Sequence, residues 1–437
     1  MSVLDVGVGE DKRWVYPITA FLISASRITV WALFYPHIQI LFNLPNTSSI
    51  VLVSTFTGLG SMILGPPVSG YILDKYGPKI PFALSAVITL LGYFMLASVL
   101  TKESWEVARP LWYVGGFLVG FGAGLFSGSY TSSVAKWFPD NVGKAMAIST
   151  SGASIGTMFL APIIASMIKA NGFTSNIFML VGFLGFSTII LLGILPWKKP
   201  ENEWVPKGWV PKARKGSTTT DQKQFTFQEA THDIRYWIMA GGFIGAAFSN
   251  MLFSQNVSMI IIEGLTKTGM QKADILATVV PYYLSLVAFA GLIGRFGWGW
   301  ILDKLGPFIA LPLMYFTSGV MMWVFYLGYT NVMFIYVAGC ILMFAMQGEG
   351  TLHYATVPAV FGRRHIGKIM SVLNAMSVGI GIALGPFLGS YIKEITGGFK
   401  AALIFAVTLR MISTAFAITG HFVTKKMDAI EKQKEAI

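Results

Sequence analysis

Gly70-Tyr71-Ile72-Leu73-Asp74-Lys75-Tyr76-Gly77-Pro78 decides the fold, because the chain repeats it 229 residues later as Gly299-Trp300-Ile301-Leu302-Asp303-Lys304-Leu305-Gly306-Pro307. A second pair keeps nearly the same offset. Gly143-Lys144-Ala145-Met146 with Ala161-Pro162 returns as Gly367-Lys368-Ile369-Met370 with Gly385-Pro386. Two separate matches at one period mean two related halves of like orientation, their axis along the normal of a membrane. Each copy of the first stretch closes an apolar run of about 20 residues, enough to cross roughly 30 Å of hydrocarbon.

Working outward, such runs fall near 16–40, 49–73, 80–100, 111–135, 143–168, 174–196, 236–262, 277–302, 308–328, 331–357, 367–392 and 400–422. The predicted class is therefore an all-α polytopic membrane protein of twelve transmembrane helices in two six-helix bundles. Residues 1–196 form the first bundle, 197–235 a polar linker, and 236–437 the second bundle with a short tail. Composition agrees: 54% of the 437 residues are hydrophobic and only 12% charged, against about 25% charged in soluble domains. The 47 glycines allow close helix approach, and the 12 tryptophans suit membrane interfaces. A lone Cys340 excludes an intrachain disulfide. No small-residue cleavage site follows the first run, so it is not read as a removable signal peptide.

The net charge of +12 has a topological reading. With both termini cytoplasmic, 22 Lys and Arg fall on the cytoplasmic side and 7 outside, while Arg27, Arg295 and Arg410 lie within runs. That bias meets the positive-inside rule, places the chain in the cell membrane, and makes anionic headgroups the partner of the excess charge. No nucleic acid is expected, since no basic patch sits in a soluble module. Asp74 and Asp303, with Lys75 and Lys304, sit at cytoplasmic helix ends. There an acid could latch a neighbouring helix N-terminus or simply be solvated in a tight turn.

The doubled turn, the twelve runs and the long central loop resemble the major facilitator superfamily over the whole chain. The resemblance implies a secondary transporter that works by alternating access, with helices one, four, seven and ten lining a cavity and three, six, nine and twelve outside.

A charge inside a membrane run is a functional candidate by default. Arg295 stands eight residues before Asp303, with Pro66 at its aligned first-half position. Its planar guanidinium matches a carboxylate; the plainer reading is a structural pair or a snorkelling side chain. The run Arg295-Phe-Gly-Trp298-Gly299-Trp300-Ile-Leu-Asp303 resembles the eighth helix of the oxalate/formate antiporter family and of the related monocarboxylate transporters. The resemblance makes Arg295 the carboxylate-binding residue. The first run, Trp31-Ala-Leu-Phe-Tyr35-Pro36-His37, resembles theirs too, which adds Tyr35 as a substrate contact and puts His37 where proton-coupled carriers keep a titratable lysine. Two departures stand out. The antiporters' helix-eleven lysine has no counterpart, Asn374 being the strong polar group nearby. Gly291 replaces the aspartate that animal monocarboxylate carriers place four residues before the arginine.

Glu349 and His353 share a helix face at i, i+4 and read either as a proton relay or as a structural pair. Tyr130 and Tyr354 are candidate hydroxyl donors to substrate or plain interfacial aromatics. Arg27 either binds substrate or pairs with Glu349; Arg410 reads as structural. Asn250, Ser254, Gln255 and Asn256 form a polar patch that lines a cavity or links helices. Five scattered histidines lack metal-ligand spacing, no phosphate-binding loop appears, and no nucleophile–base set points to an enzyme. No cofactor or metal is expected, and a monomer is the expected unit. The reading is a proton-coupled symporter of a small monocarboxylate such as lactate or pyruvate. The alternative is an oxalate/formate-type antiporter. A transporter-like anion receptor is the remote third.

Overall fold

The computed structural model describes residues 12–27, 31–138, 142–198, 224–362 and 369–435, without Ser371 and Asn374. Twelve helices among them are long and apolar enough to cross a bilayer. They are α1 (Lys12–Leu41, described on either side of 28–30), α2 (Ser48–Leu73), α3 (Lys79–Val99), α4 (Trp105–Val134), α5 (Lys144–Asn171) and α6 (Ser175–Ile194). In the second half follow α7 (Ile234–Thr266), α8 (Lys272–Leu305), α9 (Pro307–Leu327), α10 (Val332–Phe361), α11 (Met376–Thr396) and α12 (Phe399–Met427). In hydrocarbon every backbone polar group must find its partner within the segment. Apolar runs of this length therefore become helices whatever their residue propensities.

The repeated turn is reproduced in backbone geometry. Gly77 and Gly306 have φ of 78° and 74°, a region that favours glycine. Their N–H groups close the preceding helices on Leu73 O at 2.9 Å and Leu302 O at 2.8 Å. Pro78 and Pro307, with φ preset for helix, then open α3 and α9.

The chain forms two compact units, one built from α1–α6 with Leu276–Ser285, the other from Ser217–Ile275 and Leu286–Ile437. Within each, the helix pairings repeat: α1 on α5, α3 on α4 and α6; then α7 on α11, α9 on α10 and α12. A spaced glycine pair makes one such contact possible twice. A Cβ on Gly152 or Gly156 would meet the Phe21 or Ala25 carbonyl at 2.1 Å, and one on Gly381 or Gly385 would meet the Ala247 and Phe248 backbone at 2.8 Å. Small residues at that spacing let membrane helices touch along their backbones.

In the first unit, Tyr16, Phe82, Phe126, Tyr130 and Trp137 pack into one core that includes Trp197. Trp197, placed at the head of the linker by sequence, is fully buried and donates to Thr19 Oγ1 at 2.9 Å. In the second unit, Phe225, Tyr236, Phe243, Met314, Tyr315 and Phe361 form the core. The last part of the linker is also ordered there: a short helix, Phe227–His232, starts with a Thr226–Glu229 capping box. Outward, α3 exposes Ile80, Leu84, Val87, Leu91 and Phe94, and α9 exposes Ile309, Leu313, Phe316 and Val320. These apolar stripes at helical spacing are what lipid contact requires.

The sequence orients the chain by its basic loops, and labelling tests that. In a Cys340→Ala background, cysteines introduced at 197–235 and at 425–437 are expected to react from the same membrane face. Reaction from opposite faces overturns the orientation.

Candidate functional site

Arg295 lies half-buried on α8. Its position depends on how closely α8 meets α10. A Cβ on Gly294 would lie 2.4 Å from Phe344 O, and Trp298 Nε1 donates to that same carbonyl at 3.1 Å. This approach sets the guanidinium beside Gln347, whose Oε1 accepts from Arg295 Nε at 3.2 Å and Nη2 at 3.1 Å. Gln347 sits at a one-residue interruption of α10, between Val332–Met346 and Gly348–Phe361. Trp298 packs so tightly against Gly348 that a Cβ there would come within 2.5 Å of the indole. Gln347 keeps a helical backbone there, its N–H donating to Met343 O at 3.1 Å.

Two and six residues further along α10, Glu349 and His353 enter a second cluster. The Glu349 carboxylate forms an ion pair with Arg410 of α12, which is fully buried. Arg410 also donates from Nε to Ser318 Oγ of α9 and from Nη1 to Ala246 O of α7, both at 2.8 Å. The His353 ring stacks on Phe243 of α7 with centroids 3.7 Å apart, and its Nε2 meets Tyr315 Oη of α9 at 2.5 Å. Four helices thus converge on one charge pair and one imidazole. Arg410, read from sequence as structural, is the partner of Glu349; Arg27 belongs to the other unit. Tyr354, next to His353 in sequence, is 59% exposed.

In the first unit Arg27 ends the first described part of α1. Its Nη2 lies 3.5 Å from Thr89 Oγ1, its guanidinium 5.3 Å from the Phe126 ring centroid, and its Nε is buried with no hydrogen-bond partner. Tyr93 and Tyr130 are within electrostatic reach. The structure so brings together Arg27 and Tyr130, and adds Thr89, Tyr93 and Phe126, which sequence reading missed. Beyond 28–30, Tyr35 is fully buried, with Ser54 beside its hydroxyl. The half-buried His37 ring stacks on Phe173 at 5.1 Å.

The remaining candidates divide. Asn374 lies outside the described residues, as does the side chain of Asp74. Lys75, Asp303 and Lys304 are exposed, with Lys304 Nζ 3.8 Å from the Trp300 ring centroid. Within the polar patch of α7, Asn256 links helices: Nδ2 donates to Pro386 O at 3.0 Å, and Ser390 Oγ donates to Asn256 Oδ1 at 2.7 Å. Just past the C-terminal end of α7, Lys267 Nζ donates to Tyr329 Oη at 2.5 Å. That hydrogen bond, with Glu263 nearby, holds the ammonium above its ordinary pKa.

Chemically, a forked cation braced by a neutral amide can accept a carboxylate in two parallel hydrogen bonds. A second buried guanidinium among hydroxyls and an aromatic face can do the same in the other unit. Of the three arginines that the sequence places mid-run, Arg410 is paired with an acid, Glu349.

The sequence profile of the Major Facilitator Superfamily matches residues 18–386. Among curated proteins, the oxalate:formate antiporter of Oxalobacter formigenes is 24% identical over 98% of this chain and 96% of its own length. The uncharacterized transporter YhjX of Escherichia coli K12 is 23% identical over 85% of this chain and 86% of its own. Among solved structures, a bacterial homolog of the human lysosomal transporter Spinster, in an inward-facing unoccupied conformation, aligns with a TM-score of 0.63 at 15% identity. It covers 95% of this chain and 96% of that one, a likeness of fold alone.

Proposed function

The chain belongs to the Major Facilitator Superfamily, and from that premise we propose that it carries small organic anions bearing a carboxylate, most simply a monocarboxylate moved together with a proton. Arg295 braced by Gln347 is the observation that carries the reading. A guanidinium stays charged at any working pH and offers a planar fork, so it can neutralise a carboxylate that has left water. Tyr130 and Tyr354 supply hydroxyls, and the unit is a monomer in the cell membrane with both termini cytoplasmic. No catalytic step is involved. His37 is the proton carrier in this reading, because Glu349 is engaged by Arg410 and His353 by Tyr315 and Phe243.

Exchange of a dicarboxylate for a monocarboxylate is the second reading. The buried, unpaired Nε of Arg27 favours it, since two carboxylates call for two cations, and so does the similarity to an oxalate:formate antiporter.

Counterflow in proteoliposomes with labelled lactate, pyruvate, formate and oxalate, with and without a pH gradient, tests both. Lactate-sized monoanions are expected to compete better than oxalate, and a pH gradient alone is expected to drive their accumulation. His37→Gln should abolish that accumulation while exchange persists. Accumulation in His37→Gln equal to wild type removes His37 as the carrier. Stronger competition by oxalate that is lost in Arg27→Gln establishes the exchange reading.

A further inference from the structure

We infer that Gln347 is a positioning residue for anion recognition: its neutral amide fixes the orientation of the Arg295 guanidinium without cancelling charge at the bonded edge. The inference rests on the carboxylate reading of Arg295 and deepens it.

Three observations carry it. One oxygen, Gln347 Oε1, takes hydrogen bonds from both Nε and Nη2 of Arg295, at 3.2 and 3.1 Å. Two contacts on one edge fix both the direction and the rotation of the planar group, which a single contact would leave loose. Space for this has been made on α8. A Cβ on Gly291 would lie 2.8 Å from Gln347 Cγ and 3.3 Å from Met343 Cγ, so any larger residue there would push the amide stem off the arginine. Finally, Gln347 stands at the interruption of α10, where its own backbone is set by Trp298 packing on Gly348.

The choice of amide over acid has a chemical consequence. A carboxylate at this site would sit at ion-pair distance from Arg295 and compete with the substrate's carboxylate for the same charge. An amide offers the same acceptor geometry and leaves the positive field for the incoming anion. Charged groups near Gln347 include Arg295 from α8 and, two residues on in α10, Glu349 held by Arg410 of α12.

Gln347→Glu is close to isosteric and inserts that competing charge. An acid beside a guanidinium has a depressed pKa and is ionised across the working range. Anion binding withdraws the guanidinium, raises the acid's pKa and draws one proton in with the substrate. The half-saturation concentration of the best-transported member of the carboxylate panel should therefore exceed wild type by about tenfold or more near pH 7.5, and this ratio should shrink steadily toward about pH 5.5. A ratio that stays flat with pH, whether near one or well above it, overturns the inference, since a merely structural role would give no proton linkage. If the glutamate variant fails to reach the membrane, Gly291→Ala displaces the amide without new charge and should raise half-saturation by about threefold or more; an unchanged value overturns the inference. Arg295→Gln separates this from the functional reading. Wild-type uptake in Arg295→Gln, or no transport of any panel member by the wild type, removes the carboxylate reading and Gln347's role with it. Loss of uptake in Arg295→Gln together with a flat Gln347→Glu ratio removes Gln347's role alone.

Discussion

Replacing Arg295 by lysine is expected to lower the ratio of maximal uptake to half-saturation by about two orders of magnitude while the protein still reaches the membrane. Charge is conserved in this variant, so the loss isolates geometry. A lysine ammonium is a compact point charge on a flexible stem, whereas the guanidinium presents a rigid fork. The variant gives up a parallel hydrogen bond to the substrate and both contacts to Gln347 Oε1. Hydrogen bonds to charged groups are worth about 1.5–3 kcal/mol, and each 1.4 kcal/mol is about tenfold. Initial-rate uptake in proteoliposomes, normalised to reconstituted protein, measures the effect. Uptake within about threefold of wild type would dismiss recognition by the fork.

The second large effect concerns stability. Glu349→Gln removes the acid and leaves Arg410, fully buried, with its charge uncompensated among α7, α9, α10 and α12. Breaking one partner of such a pair costs about 3–5 kcal/mol, whereas replacing both by apolar residues of similar volume is often neutral. The single variant should therefore melt well below wild type in detergent, and Glu349→Leu with Arg410→Met should recover most of the loss. Melting of Glu349→Gln at the wild-type temperature would sink the strut role and return Glu349 to the candidates for proton transfer.

The fold was largely legible because lipid simplifies the problem. Once water is excluded, length and apolarity decide the helices, and the copied Gly-Pro turns gave the twofold plan before any contact was known. Boundaries shifted by a few residues where polar ends continue helical, as at Ile234 and at Phe361. The linker was less legible: Trp197 and Phe225 are single aromatics in polar surroundings, and their burial depends on partners far away in sequence. At the site, Arg295 was readable as an isolated cation in an apolar run. Its partner Gln347 was not, because an amide in a membrane helix has many possible neighbours and spacing does not choose among them. Arg410 could have been paired by parity, since Glu349 is the acid deepest in the spans and sits in the same half. Thr89, Tyr93 and Phe126 around Arg27 carry no sequence signal, being ordinary residues of α3 and α4 gathered by packing.

The strap formed by Arg410 bears on how the protein is made. During synthesis α10 is released into the bilayer before α12, so Glu349 waits without its cation until the last span arrives. The span α12 brings Arg410 and no acid of its own between Phe399 and Met427, and a lone arginine at mid-helix disfavours insertion by about 2.5–3.5 kcal/mol. Docking on α7, α9 and α10 offsets that cost, because the guanidinium there gains a carboxylate, a hydroxyl and a backbone carbonyl. The last span thus supplies the cation that completes a polar cluster begun by three earlier ones.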